Sequence, residues 1–317
     1  MHKKAIVDVN VFSAVLSNKD FSELAGFIRA QCGIKIPPSK KQMLEGRLRK
    51  RLRALGIDSF ERYLSYLFGP EGARTSEYVH LIDEVTTNKT DFFREKSHFD
   101  LLTQSVLPDL GERFDLGVRT RLNVWSAGCS TGEEPYTLAM VLSEYALAVP
   151  NFKFSVLATD ISMKVLEKAV KGIYESDRAE AIPMPLRKRY LLRSKDRGGN
   201  LVRIAPELRS RVSFMRLNFL EDSFHGAQRM GVIFCRNVLI YFDRPTQEMV
   251  LRKLCGRLTD GGYLFTGHSE TLHSMDLPLD QVASTVYRKR HERAAAGKGA
   301  GVSRSGFSEA GNVSSRT

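Results

Sequence analysis

The stretch Asn123-Val-Trp-Ser-Ala-Gly-Cys-Ser-Thr-Gly-Glu-Glu-Pro-Tyr136 admits few folds: an apolar strand runs into a loop of small residues, and the loop runs into a helix opened by two glutamates. Residues 122–125 supply a buried strand. The loop 126–132 can wrap closely round a ligand, because Gly128 and Gly132 lack the Cβ that would hold it away. Charge narrows the ligand. A loop built for pyrophosphate offers bare amides and a positive helix end, whereas two unit charges about 4 Å apart interact by roughly 4 kcal/mol at an effective dielectric near 20, so Glu133 and Glu134 would repel a phosphate. The segment also lacks the Gly-Lys-Ser/Thr ending of a P-loop and the third glycine of the dinucleotide fingerprint. A cationic cofactor suits it better, and S-adenosylmethionine carries both an ammonium and a sulfonium. The same acids also suit the first turn of a helix, where the dipole favours them and Pro135 fits.

From about residue 120 short apolar runs alternate with amphipathic helices, the signature of βαβ units and a mostly parallel, doubly wound α/β sheet. The expected strands are 122–125, 153–159, 212–216, 231–235 and 262–267, with a last one near 284–288; the clearest helices are 135–148, 162–170 and 245–258. Ligands of such sheets bind beyond the carboxyl ends of the strands, where the strand order reverses. One insertion, at about 185–210, interrupts the alternation: Tyr190 to Arg193, a polar turn from Lys195 to Asn200, and Leu201 to Ile204 read as a small antiparallel hairpin.

The chain has 317 residues, more than one average domain. Residues 1–20 read as an N-terminal extension, 21–90 as an all-helical basic domain, 91–290 as the sheet domain, and the Ala-, Gly- and Ser-rich stretch 291–317 as a disordered tail. Lys and Arg number 48 against 36 Asp and Glu, a net charge of +12 that implies an acidic partner, whether nucleic acid, membrane surface or protein, and salt-sensitive association. No apolar run reaches the length of a membrane span and no signal-peptide block follows the N-terminal lysines, so a cytoplasmic protein is expected. Cys32, Cys129, Cys235 and Cys255 lie far apart, which indicates neither a zinc site nor a disulfide framework. Between residues 40 and 55, Leu44, Leu48, Leu52 and Leu55 fall on one helical stripe, started by Pro37-Pro38-Ser39 and ended by Gly56. The other faces carry Lys40, Lys41, Arg47, Arg49, Lys50, Arg51 and Arg53, which read either as a solvated surface or as a docking surface for an acidic partner.

Polar residues at the strand ends nominate a site. Asp160, closing the second strand, is placed to accept from both ribose hydroxyls of a nucleoside, or to cap the helix that begins near Ser162. Asn218 and Asn237 follow later strands, and an asparagine there can offer an adenine edge both a donor and an acceptor, or serve as a turn residue. Ahead of the sheet, Thr86-Thr-Asn88-Lys-Thr90-Asp-Phe-Phe-Arg94-Glu95 reads as a lid whose phenylalanines bury against the sheet while its polar side faces the ligand; the alternative is an ordinary helix capped by Thr90 or Asp91.

The segments TTNKTDFFRE, WSAGCSTGEEPYTLAM, LATDIS, FCRNVLIYFD and GGYLFTGHSETL occur in that order, and the chain closely resembles the CheR-type chemoreceptor glutamate methyltransferases over about residues 20–290. The resemblance implies a class I, Rossmann-like S-adenosylmethionine-dependent methyltransferase that esterifies glutamate side chains in the cytoplasmic helices of chemotaxis receptors. By matching positions it implies cofactor contacts from Asn88, Thr90, Arg94, Ala127, Gly128, Glu134, Asp160, Asn218, Phe219, Asn237 and Val238, with Arg94 and Tyr241 beside the reacting centre and Arg236 in support; no metal is implied. Gly128-Cys129 and Phe219 depart from the family pattern at positions where backbone contacts would dominate. The basic helix then acquires a partner, with Arg47, Arg49, Arg51 and Arg53 steering docking onto a glutamate-rich receptor helix. The hairpin would correspond to the appendage some members use to grip a receptor tail. A monomer is expected. Rival readings keep the cofactor and change the acceptor to RNA or a small molecule, or make the chain a non-catalytic S-adenosylmethionine-binding module; no aromatic-interleaved basic patch of the single-strand-binding kind supports nucleic acid.

Overall fold

Glycines and serines punctuate the helical half as capping chemistry requires. In the computed structural model, which describes residue 11 and residues 13–194, 200–222, 224 and 228–291, the Ser17 hydroxyl accepts from Asp20 N to start α1 (Asn18–Cys32), and Gly33 ends it at φ 76°. A 3-10 turn at Pro38–Lys40 leads into α2 (Lys41–Leu55), closed by Gly56 at φ 69°. Three short helices follow, α3 (Phe60–Phe68), α4 (Pro70–Thr75) and α5 (Glu77–Val85). Their shared core joins Phe21, Leu24 and Ile28 of α1 to Leu44, Leu48 and Leu52 of α2 and to Phe60, Tyr63 and Leu81, with Leu55 packed at its margin. The first ten residues of the expected N-terminal extension lie outside the described residues, as do the hairpin tip 195–199 and the tail from 292 on.

Arg47, Arg49 and Arg51, expected to meet a partner, are held inside this unit. Arg51 forks onto the buried carboxylate of Glu77, Nε to Oε1 at 2.9 Å and Nη2 to Oε2 at 2.7 Å. Arg49 Nη2 reaches Glu45 at 2.5 Å and the Ala14 carbonyl at 3.1 Å. Arg47 Nη1 holds the carbonyls of Val85 and Thr86, at 2.5 and 3.2 Å, and its Nη2 the Thr87 hydroxyl at 3.0 Å. A 3.6-residue period shows which side chains face the core but not that α5 and the loop after it lie alongside α2. Arg53 and Lys50 are exposed.

After the segment 86–95, α6 (Lys96–Leu101) runs through a π turn into α7 (Leu107–Phe114). The sheet domain then follows in chain order: β1 (Leu122–Ala127), α8 (Glu133–Ala148), β2 (Phe154–Asp160), α9 (Met163–Lys171), β3 (Ile173–Glu175), α10 (Met184–Tyr190), β4 (Leu191–Arg193), β5 (Leu201–Ile204), α11 (Pro206–Arg209), β6 (Val212–Arg216), β7 (Met230–Cys235), α12 (Arg244–Arg257), β8 (Leu258–Thr266), β9 (Leu279–Ala283) and β10 (Val286–Lys289). Seven strands form one sheet in the order β6-β2-β1-β7-β8-β10-β9. Its first five strands are parallel, while β10 pairs antiparallel with β8 and with β9. Strands β3, β5 and β4 form a separate antiparallel sheet, one strand more than the expected hairpin.

The chain leaves β1 toward β2 on one side and returns to β7 on the other, so the strand order reverses at the carboxyl end of β1. Such a reversal opens a crevice between the diverging loops. Trp125, 1 % exposed, anchors that end, its indole N–H donating to the Thr159 hydroxyl at 2.9 Å.

Candidate active site

The loop after β1 is held open by its own backbone. Gly128 sits at φ 89° and Gly132 at φ 99°, and a Cβ on Gly128 would overlap Val238 Cγ2. The amides of Gly128 and Cys129 donate to the Thr159 carbonyl at 2.8 and 2.9 Å. Asp160 completes the brace, its Oδ2 accepting from Ser130 N at 2.9 Å and its Oδ1 from Ser162 N at 3.0 Å. The cap of α9 is the Ser162 hydroxyl, which accepts from Val165 N, so Asp160 serves the loop. Burial raises its carboxyl pKa, and these amide bonds oppose the rise.

Beyond the loop lies a cavity of about 290 Å³. Asn88, Thr90, Arg94, Gly128, Glu134, Asp160, Asn218, Phe219, Arg236, Asn237, Val238 and Tyr241 all line it, so the strand-end residues and the segment ahead of the sheet converge on one space. Ala127 does not: it is 1 % exposed and packs with Trp125 and Ile233 in the core. The strand is still continuous there, and the wall begins one residue later. The helical unit also contributes, through Cys32, Ile34 and Val85, a contribution with no signal in the sequence because it depends on how α1 packs against the β7–α12 connection.

The segment 86–95 is a lid and not the first turn of a helix; α6 starts only at Lys96, and neither Thr90 nor Asp91 caps it. Phe92 is buried in the sheet-domain core and Phe93 packs against it. The Asn88 carbonyl accepts from the Ser130 hydroxyl at 2.9 Å and the Thr90 carbonyl from Arg178 Nη2 at 2.6 Å, which fastens the lid over the loop. Arg94 lies between two left-handed residues, Phe93 at φ 54° and Glu95 at φ 55°, and Ser130 and Asn237 share that conformation at φ 49° and 59°. Each such non-glycine residue costs on the order of 1–3 kcal/mol. Two of them, Ser130 and Asn237, line the cavity and the other two flank Arg94, which marks a geometry held by its surroundings.

Charge is arranged differently from the sequence expectation. Glu134 does line the cavity, but its carboxylate is already engaged: Oε1 by the Ser126 hydroxyl at 2.7 Å and Oε2 by Arg236 Nε at 2.7 Å. Arg236 is 2 % exposed at its side chain; its Nη1 reaches the Arg94 carbonyl at 2.8 Å, and its guanidinium lies 5.2 and 5.3 Å from the ring centroids of Phe99 and Phe234. It therefore positions its neighbours and does not reach out toward a reacting group. Glu133 is not among the residues that line the cavity. Its buried carboxylate accepts from the Thr131 hydroxyl at 2.6 Å and from Arg178 at 2.8 Å, and burial raises its pKa. Arg94 Nη1 donates to the Lys89 carbonyl at 3.0 Å, and the Tyr241 hydroxyl stands 3.5 Å from the Thr87 carbonyl. Asn218 gives one amide hydrogen to the Gln31 carbonyl at 2.6 Å and accepts from Leu220 N at 3.1 Å, which leaves one donor and one lone pair for a ligand.

Glu95, His98 and His268 bring three possible metal ligands together, but Arg236 Nη1 stands 3.4 Å from Glu95 Oε2 and 3.2 Å from His98 Nδ1, so a guanidinium already supplies the positive charge there. Burial and that guanidinium push His98 down to about 4.

Residues 88–288 match the CheR methyltransferase SAM-binding domain, and residues 19–86 match the CheR methyltransferase all-alpha domain. The chain belongs to the CheR methyltransferase family. It is a methyltransferase dependent on S-adenosylmethionine, and the cavity lies at the reversal of strand order, where sheets of this kind bind their ligands. CheR relatives share much of the chain. It is 37 % identical to the chemotaxis protein methyltransferase of Borreliella burgdorferi, over 86 % of this chain and 95 % of that one. It is 38 % identical to the chemotaxis protein methyltransferase of Salmonella typhimurium, over 88 % and 93 % of the two chains. It is also 38 % identical to chemotaxis protein methyltransferase 2 of Pseudomonas aeruginosa, over 86 % and 93 %. Among the described residues no helix is long and apolar enough to cross a membrane.

Proposed function

We propose that this chain transfers a methyl group from S-adenosylmethionine to glutamate side chains in the cytoplasmic helices of membrane chemoreceptors, leaving glutamate methyl esters and S-adenosylhomocysteine, and that it works in the cytoplasm as a monomer. The observation that carries this reading is the convergence, on one cavity, of the cofactor loop with Arg94 and Tyr241. A glutamate carboxyl titrates near 4.3, so the nucleophile is ionised at neutral pH and needs no base. What the site must do is bring a carboxylate oxygen and the methyl carbon into line about 3 Å apart, where positioning supplies several kcal/mol of the barrier. In this reading the Arg94 fork holds the carboxylate and the Tyr241 hydroxyl adds one more hydrogen bond, while Asn88, Thr90, Gly128, Glu134, Asp160, Asn218, Phe219, Asn237 and Val238 hold the cofactor.

Relatives that are chemotaxis protein methyltransferases, together with the chain's net charge of +12, support an acidic receptor helix as acceptor. Docking on an acidic receptor helix uses exposed basic side chains of α2, Lys50 and Arg53 among them. The three-stranded sheet presents the exposed side chains of Ile173, Leu192 and Leu201, and a receptor tail laid against it would cover them. The purified chain, incubated with labelled cofactor and receptor-bearing membranes, tests the reading: base-labile label on the receptor supports it. Label on added RNA, or cofactor binding without transfer, replaces it with one of its two rivals.

A further inference from the structure

Glu270 lies outside the cavity, in the turn that follows β8, and is 5 % exposed. Its carboxylate faces a cluster of main-chain donors. Oε2 accepts from Asn237 N at 2.7 Å and from Gly267 N at 2.7 Å, and Oε1 accepts from Ile240 N at 3.3 Å. The turn that carries it is itself fixed, by Glu270 N to the Gly267 carbonyl at 2.8 Å and by the Thr266 hydroxyl to the Glu270 carbonyl at 2.9 Å. There is no slack at this junction: a Cβ on Gly267 would meet Asn237 Nδ2 at 2.5 Å, Asn237 N at 2.9 Å and Glu270 Oε2 at 2.9 Å.

The segment so held is the one that supplies the far wall of the cavity. Asn237 stands in the left-handed region at φ 59°, and the 3-10 turn Leu239–Tyr241 follows it directly. A short turn of this kind has unpaired amides at its start, and an asparagine at positive φ needs a partner to hold it there. The carboxylate answers both needs. From the other side the Tyr241 carbonyl accepts from Lys35 N at 2.9 Å, so the segment 237–241 is clamped between the β8 turn and the loop after α1.

We infer that Glu270 is a positioning residue for methyl transfer, which holds Asn237 and the Leu239–Tyr241 turn where Asn237 meets the cofactor and Tyr241 meets the acceptor. The inference rests on the reading of Asn237 and Tyr241 given above. Glu270→Gln in the full chain keeps size and removes one acceptor site, setting an amide N–H against a main-chain N–H. Because hydrogen bonds to a charged group are worth about 1.5–3 kcal/mol, the dissociation constant for S-adenosylhomocysteine, read by calorimetric titration, rises about tenfold or more. Turnover falls with it, while KM for receptor stays within about twofold. Glu270→Asp, which keeps the charge and shortens the reach, gives a smaller loss of the same kind, and it serves if the glutamine variant does not fold. Asn237→Gly, which accepts the backbone angle without strain, separates the two ideas. If Asn237→Gly leaves cofactor affinity unchanged, the reading of Asn237 fails and the inference falls with it. If it lowers affinity, a double variant with Glu270→Gln that loses less than the sum of the two supports positioning through Asn237. Fully additive losses, or a Glu270→Gln enzyme within twofold of the parent in affinity and turnover, overturn it.

Discussion

Arg236 Nε lies 2.7 Å from Glu134 Oε2, and this pair ties the end of β7 to the first turn of α8 with side chains only 2 % and 11 % exposed. The link explains how an acid can line a cavity for a cationic cofactor without standing there as an unbalanced buried charge. It also means that the site and the fold share a residue.

Removing one partner of such a pair strands the other. Arg236→Ala is expected to lower unfolding free energy by about 3–5 kcal/mol. Urea denaturation followed by circular dichroism measures it. Because the guanidinium also holds the Arg94 carbonyl, any folded fraction should bind S-adenosylhomocysteine weakly. A loss below about 1 kcal/mol would place Arg236 among exposed, weakly coupled charges.

Gly128 tests the cofactor loop by volume. With φ at 89° and Val238 directly in the path of an added Cβ, Gly128→Ala should weaken cofactor binding by about tenfold or more, since an overpacked contact costs about 1–3 kcal/mol and the backbone strain adds to it. Val238→Ala in the same chain relieves the overlap but not the strain, so calorimetry should show partial recovery. Unchanged affinity in the single variant would mean that the loop is not the cofactor's wall.

The roles proposed for Arg94 and Tyr241 separate by variant. Arg94→Ala is expected to abolish most methyl transfer and to weaken cofactor binding as well, because Arg94 both lines the cavity and anchors the lid through Lys89. Tyr241→Phe removes only a hydroxyl, so turnover should fall by about tenfold with the cofactor dissociation constant within about twofold. Near-parental transfer by both variants contradicts the roles given to them.

His98 gives stability a pH dependence with a definite sign. Its folded pKa is pushed down to about 4 from an ordinary 6.5 by burial and by Arg236. Between those values the unfolded chain binds a proton that the folded chain does not, so the stability conferred by neutral His98 is complete above about pH 6.5 and is lost as pH falls toward 4. Urea midpoints at pH 7 and pH 5 should therefore differ more in the parent than in His98→Gln. Equal differences would mean that His98 is not neutral in the fold.

Much of this arrangement is legible in the amino-acid sequence. The strand–glycine loop–diglutamate segment, the strand-end Asp160 and Asn237, and the alternation after residue 120 are local patterns, and each element they predict forms within a few residues. Strands β3 and β9 escape because they are short, exposed edges without an apolar alternation, with burial supplied by neighbours far away in sequence. The pairing of Glu134 with Arg236 escapes for a related reason: 102 positions separate them, and spacing says nothing about charges that meet only through β1–β7 pairing. The basic stripe of α2 is the converse case. Its leucine period is correct, but Arg47, Arg49 and Arg51 are turned inward by carbonyls and acids from α5, the lid and the segment before α1, so a list of cations overstates the exposed charge.

Esterification of receptor glutamate is the activity from which every role above follows. Receptor-bearing membranes incubated with the chain and methyl-labelled S-adenosylmethionine, then digested and read by peptide mass spectrometry, test it most directly. Expected is the mass of one labelled methyl group in place of a proton on glutamates of receptor helices, removed by mild base and absent with Arg94→Ala. Label on nucleic acid or on other side chains, or an unlabelled receptor in the presence of a chain that binds the cofactor, would contradict it.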